Sequence, residues 1–367
     1  MPGMNRNTGQ FAEHQQSIWL DQITRELLQS GTLARYITEF GISGLTSNPT
    51  IFAAAIAGSD AYDASIRVLD NAGLAGEDLF FELALEDLSQ AADLFRPSYA
   101  ASHGVDGWVS LEVSPLLAGD ADGTVQSAVR LYRRAAKANL YIKIPGTEAG
   151  IAAIEEAIFQ GVPVNVTLLF SREHYLAAAQ AYMRGIERRL AAGLKPDIES
   201  VASLFVSRWD VAVQKHVASP FHNRLGIAIA TRTFKSYRDL LASDRWQRLA
   251  AAGARPQRLL WASTGTKDPS AADTLYVAAL VGAGTIDTMP EVTLLAFAHH
   301  GKVERTMPAD GGYAEAVIGE FRRKGVDDAA LAEQLQREGV AAFAKSWDGL
   351  LSSIQAKCKR AVRGAAA

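Results

Sequence analysis

Eight short, mostly apolar runs recur along this chain, each followed by a longer stretch. They are 17–21 (SIWLD), 42–47 (ISGLTS), 108–113 (WVSLEV), 140–145 (LYIKIP), 163–169 (PVNVTLL), 200–206 (SVASLFV), 258–263 (RLLWAS) and 285–289 (TIDTM). Between them apolar residues return at helical spacing, as in 77–95, 124–138, 148–159 and 171–190. Strands that alternate with helices point to a parallel sheet with crossover helices. The alternation alone also permits an open, doubly wound sheet. Eight strands, many with polar residues near their ends, favour closure into an α/β fold of the (β/α)8 barrel type. The connections 50–105 and 208–256 are long and helical in pattern, and 311–323 and 327–357 follow the last strand, so additional helices are expected around the barrel.

The chain length of 367 residues suits one such barrel over 17–367, preceded by a polar extension, 1–16. A net charge of −3 gives no electrostatic case for nucleic acid as a partner. The first sixteen residues lack the apolar stretch of a secretory signal, and no run of about 18 apolar residues suggests a membrane span, so a cytoplasmic location is expected. The single cysteine, Cys358, can form neither an internal disulfide nor a cysteine-rich zinc site. His299 and His300 are adjacent, so their side chains diverge and make a poor joint metal site. Neither a metal nor a cofactor is expected.

Strand parity locates the chemistry. Side chains alternate between two faces of a strand. In 140–145, Leu140, Ile142 and Ile144 share one face and Tyr141 and Lys143 the other. Val109, Leu111 and Val113 oppose Trp108, Ser110 and Glu112. Val164, Val166 and Leu168 oppose Asn165 and Thr167, and Ile18 and Leu20 oppose Trp19 and Asp21. One face is thus aliphatic, suited to the outer helices. The other carries Asp, Glu, Lys, Asn and Thr, which cost several kcal/mol if buried unpaired. The economical reading gathers them at the C-terminal mouth of the barrel, where such folds hold their active sites.

Taken singly, each residue has an ordinary reading. Lys143 could form a structural ion pair, Asp21 could cap a helix beginning at ITRELL, and Asn48, before Pro49, could be a turn residue. One chemistry explains them together. An amine among apolar groups or near other cations loses its proton more readily and attacks ketones, and carboxylates shuttle the protons that iminium formation needs. Arg208, Arg232 and the loop 263–267 (STGTK) are candidate cationic positions for a phosphate.

These segments resemble the transaldolase family. LTSNPTIF (45–52), VSLEV (109–113), NLYIKIPGTEAGIAAI (139–154), VNVTLLFS (164–171) and SLFVSRWD (203–210) resemble the family's motifs in order, over about residues 17–290. The resemblance implies a TIM barrel that moves a dihydroxyacetone unit from a ketose phosphate to an aldose phosphate through a lysine Schiff base. It implies Lys143 as nucleophile, Asp21 as the acid–base group at the C4 hydroxyl, and Glu112 with Thr167 as holders of a proton-moving water. Asn48, Asn165 and Ser203 would bind the dihydroxyacetone hydroxyls. Phe205 would line the site, and Arg208, with Ser263 and Lys267, would hold phosphate. In the smaller fructose-6-phosphate aldolases of this family, glutamine tends to stand at the position of Glu112 and tyrosine at that of Phe205, so these two residues favour transfer over simple cleavage. Sugar phosphates are the expected partners, and a monomer or homodimer the expected state. A non-catalytic sugar-phosphate binder would need no amine with two carboxylates.

Overall fold

A computed structural model describes residues 3–365 of the chain. Eight parallel strands close into a barrel in sequence order: β1 (Ser17–Leu20), β2 (Gly44–Leu45), β3 (Trp108–Glu112), β4 (Leu140–Pro145), β5 (Val164–Leu169), β6 (Ser200–Phe205), β7 (Arg258–Ala262) and β8 (Ile286–Met289). β1 pairs with both β2 and β8, which removes the free edges of the sheet. The expected barrel is therefore the observed one, with each strand found inside its expected range. β2 is the shortest, but Ser43 N donates to Ile18 O and Thr46 N to Leu20 O, so the pairing with β1 continues on both sides of it.

The long connections are helical. Residues 50–105 contain most of Pro49–Gly58 and all of Asp63–Asn71 and Gly76–Ala101; 208–256 contain most of Ser207–Val213 and all of Leu225–Ala242 and Asp244–Ala251. A terminal helix, Asp328–Ala365, packs on Pro49–Gly58 and crosses to the end of β5. Residues 6–13, within the segment expected as a polar extension, form a helix capped by Asn5. That helix packs on Glu291–His300: Phe11 lies 4.5 Å from Phe297, and Asn5 and Asn7 both donate to Ala298 O. Among the described residues no helix is long and apolar enough to cross a membrane.

The barrel interior is built in layers. At the N-terminal end the buried Arg258 reaches from β7 to Asp106, Ser17 and Thr285 O. Above it Trp19, Trp108 and Tyr141 stack, with Trp108 and Tyr141 only 4.1 Å apart. This aromatic floor fills the barrel where branched aliphatics would usually do so. Gly44 makes room for it, since a Cβ there would come within 2.5 Å of the Trp19 ring. The ring is buried and cannot yield. Gly44→Ala is expected to lower the unfolding free energy by about 1–3 kcal/mol, the usual cost of overpacking, read as a lower urea midpoint with an unchanged m-value.

Candidate active site

The register between strands sets the centre of the site. Glu112 of β3 lies opposite Lys143 of β4, and Lys143 lies opposite Asn165 of β5. All three follow the parity of the aromatic floor and stand above it, toward the C-terminal mouth. Lys143 Nζ donates to Ser47 O at 2.9 Å and lies 3.3 Å from Glu112 Oε2. Both side chains are about 95% buried, at 6% and 5% exposed. The ordinary reading of Lys143 as an ion-pair partner is thus part of the geometry. The pair sits at the base of an open cleft of about 220 Å³, which Lys143 itself borders.

Burial pushes the Glu112 carboxyl above its usual pKa, and the nearby Lys143 charge only partly offsets this. Glu112 Oε2 and Thr167 Oγ1 are both buried without a hydrogen-bond partner among the described residues. Buried polar atoms are rarely left so. After Thr167 the strand is irregular: the pairing of β5 with β6 shifts register between Val166 and Leu169, and Leu168 adopts φ +58°. Bulges of this kind re-aim side chains beside active sites.

Asp21 immediately follows β1 and also borders the cleft. It does not cap the next helix; Thr24 does, accepting from Leu27 N. Asp21 Oδ1 instead accepts from Thr46 Oγ1 at 2.7 Å. Burial raises its pKa, while Lys143, Thr46 and Lys267 pull it back toward the charged form. Asn48 combines two readings. Its Oδ1 caps helix Pro49–Gly58 by accepting from Ile51 N, and the residue borders the cleft. Ser203 also borders the cleft and donates to Asn165 Oδ1 at 2.7 Å. Asn165 donates in turn to Ser110 Oγ, and it is fully buried below the cleft rather than on its wall.

Cations border the same cleft. Arg208 stands on Ser207–Val213, just after β6, with its guanidinium 4.9 Å above the Phe205 ring. It makes no ion pair among the described residues, so its donors stay available. Ser263 and Lys267 border the same region from the loop after β7. Ser263 has φ +57° and shares a 2.9 Å hydrogen bond with Ser207. Arg232, also a candidate for phosphate, does not join them. It is locked between Glu315 and Asp328 at 2.7 and 2.8 Å and does not border the cleft. His299 and His300 lie on the exposed last turn of Glu291–His300; contrary to the expected divergence their Nδ1 atoms are 3.4 Å apart, and His300 also meets Asp273.

A buried lysine beside one carboxylate and near a second, in a cleft also bordered by Arg208 and Lys267, is suited to Schiff-base chemistry on a carbonyl compound that carries an anionic group. Comparison with known proteins agrees. The family model for transaldolase/fructose-6-phosphate aldolase matches residues 18–354. The chain belongs to that family. It is 44% identical to the transaldolase of Parafrankia sp. (strain EAN1pec), over 92% of this chain and 94% of that protein. It is 44% identical to the transaldolase of Thermobifida fusca (strain YX), with the same two coverages. Against transaldolase 2 of Nostoc sp. (strain PCC 7120 / SAG 25.82 / UTEX 2576) the identity is 39%, over 95% of this chain and 97% of that one.

Among the cleft residues that escaped the reading of the sequence are Thr46, Thr288 and Phe343. Thr46 hydrogen-bonds both Asp21 and Thr288. Parity could have found the threonines, since Thr46 follows Gly44 and Thr288 follows Ile286 by two positions on inward faces. Phe343 carried no local signal, because it comes from the terminal helix.

Proposed function

We propose that this protein is a transaldolase in which Lys143 carries the dihydroxyacetone unit as a Schiff base. The observation that carries the reading is the Lys143–Glu112 pair, 3.3 Å apart and buried at the base of the cleft, with Asp21 on its rim. The Lys143 amine attacks C2 of a ketose phosphate, sedoheptulose 7-phosphate or fructose 6-phosphate. Glu112 and Thr167, whose free oxygens support a water between them, move the protons as the carbinolamine loses water to give the iminium. Asp21 takes the proton of the C4 hydroxyl. The C3–C4 bond breaks, its electron pair forms the enamine, and an aldose phosphate leaves. The enamine then attacks the aldehyde carbon of glyceraldehyde 3-phosphate or erythrose 4-phosphate, and Asp21 returns its proton to the new hydroxyl. Hydrolysis of the second iminium frees Lys143.

Asn48 and Ser203 bind the dihydroxyacetone hydroxyls, with Asn165 orienting Ser203 from below. Phe205 supports Arg208, and Arg208, Ser263 and Lys267 hold the phosphate. The protein works in the cytoplasm as a monomer or homodimer. Borohydride trapping with fructose 6-phosphate, followed by peptide mass analysis, tests the mechanism. The adduct is expected on the peptide containing Lys143; active enzyme labelled on another lysine, or not at all, would sink it. Free dihydroxyacetone is expected to stay negligible beside transfer to an acceptor, and its accumulation would mark an aldolase instead.

Arg208→Ala is expected to raise KM for fructose 6-phosphate on the order of 10²-fold, the scale of one or two lost charge-assisted hydrogen bonds. Trapping of free dihydroxyacetone, which has no phosphate, should be little changed. An unchanged KM would remove Arg208 from the phosphate site.

A further inference from the structure

The terminal helix Asp328–Ala365 places one face against the mouth of the barrel. Gln336, Gly339, Phe343 and Ser346 recur on it at spacings of three and four, so they share that face. Gln336 Nε2 donates to both Gly146 O and Leu168 O at 3.0 Å. Those carbonyls lie just past Pro145, the end of β4, and near the end of β5, the strands that carry Lys143 and Thr167. Gly339 permits the closest approach: a Cβ there would lie 2.8 Å from Leu168 Cδ2 and 3.2 Å from Arg208 Nη1. Ser346 Oγ meets Thr50 Oγ1 at 2.8 Å, beyond the loop that carries Asn48. The helix is thereby fastened beside the ends of β2, β4 and β5.

Between these fastenings Phe343 is 4% exposed and borders the cleft. Its ring centroid lies 5.9 Å from the Arg208 guanidinium carbon, while Phe205 holds the same group at 4.9 Å. Arg208 has no carboxylate partner among the described residues, so the two rings are its main restraint. Aromatic faces fix a cation without consuming its hydrogen-bond donors. A carboxylate in their place would occupy the donors and compete with an incoming anion.

We propose that Phe343 is a positioning residue for Arg208 and sets the preference of this site for phosphorylated over unphosphorylated substrates. This rests on the proposed function of the cleft. The ring orients the guanidinium toward the substrate phosphate and keeps water from its outer face. It touches no reacting atom.

The test compares full-length Phe343→Leu and Phe343→Tyr with the parent. Leucine keeps an apolar group of similar size but has no π-face; tyrosine keeps the face. In Phe343→Leu, KM for fructose 6-phosphate and the inhibition constant of inorganic phosphate should both rise on the order of tenfold, as for loss of one cation–π contact. The borohydride-trapping rate with free dihydroxyacetone should stay within about twofold. Phe343→Tyr should restore both phosphate-dependent constants. Overturning results are an unchanged phosphate constant in Phe343→Leu, or equal losses with fructose 6-phosphate and dihydroxyacetone, which would mark a merely structural role. If the parent protein forms no Lys143 adduct, the proposed function fails separately. Calorimetric binding of inorganic phosphate to the two variants, with Arg208→Ala as reference, still decides the role of Phe343.

Discussion

Lys143→Met leaves a folded barrel with an intact cleft and almost no turnover: kcat/KM for dihydroxyacetone transfer falls on the order of 10⁴-fold or more, and no borohydride adduct forms. The size of the loss follows from the covalent route. Without the amine there is no iminium to accept the electron pair of the C3–C4 bond, and Lys267, the other amine of the cleft, stands on the loop after β7 rather than beside Glu112. Methionine suits the site because it keeps most of the side-chain volume above Trp108 and Tyr141 while leaving Glu112 without its cation. Burial already favours the protonated Glu112, so the uncompensated charge is avoided by proton uptake rather than by unfolding. Circular dichroism of the variant should therefore match the parent. Residual activity above about 1% of the parent rate would assign the nucleophile to another residue.

Asp21→Asn separates the covalent step from the cleavage step. Asparagine keeps the shape and can still accept from Thr46 Oγ1, but it cannot take the C4 hydroxyl proton. Transfer is expected to fall by about 10²–10⁴-fold, the usual worth of a positioned general base. The Lys143 adduct should still form from fructose 6-phosphate, now trapped as the intact six-carbon sugar rather than the three-carbon fragment. A three-carbon adduct forming at the parent rate would show that another group removes the proton. In the parent, burial raises the Asp21 pKa, which makes the carboxylate the stronger base. The acid limb of the pH–rate profile for cleavage is accordingly expected above the ordinary aspartate range, and it should vanish in Asp21→Asn.

The barrel and the cluster around Lys143 were legible because both depend on period-two alternation. Trp19 and Asp21, Ser110 and Glu112, Tyr141 and Lys143, and Asn165 and Thr167 each occupy the same face of a strand, and register then brings Glu112, Lys143 and Asn165 side by side. Residue type without parity misleads in β8. Asp287 is the obvious chemical candidate there, yet it faces outward, fully buried, with its pKa pushed up to about 8 by burial and Oδ1 bound by Thr264. Its neighbour Thr288 is the one that borders the cleft. Arg232 failed as a phosphate ligand for a different reason. Its partners Glu315 and Asp328 lie 83 and 96 residues away, and no local pattern announces such pairs. Phe343 was hidden likewise, since its meeting with Arg208 exists only after the terminal helix has folded back over the barrel.

The order of these contacts along the chain bears on synthesis. β1 finds one of its two partners in β8, and the mouth receives Phe343 only from the terminal helix. Chains emerge from the ribosome N-terminus first, at about 5–20 residues per second. Lys143, Glu112 and Asp21 are therefore made about 10 s or more before Phe343. A nascent chain stalled between residues 290 and 343 carries Asp21, Glu112 and Lys143 and still lacks the ring that flanks Arg208.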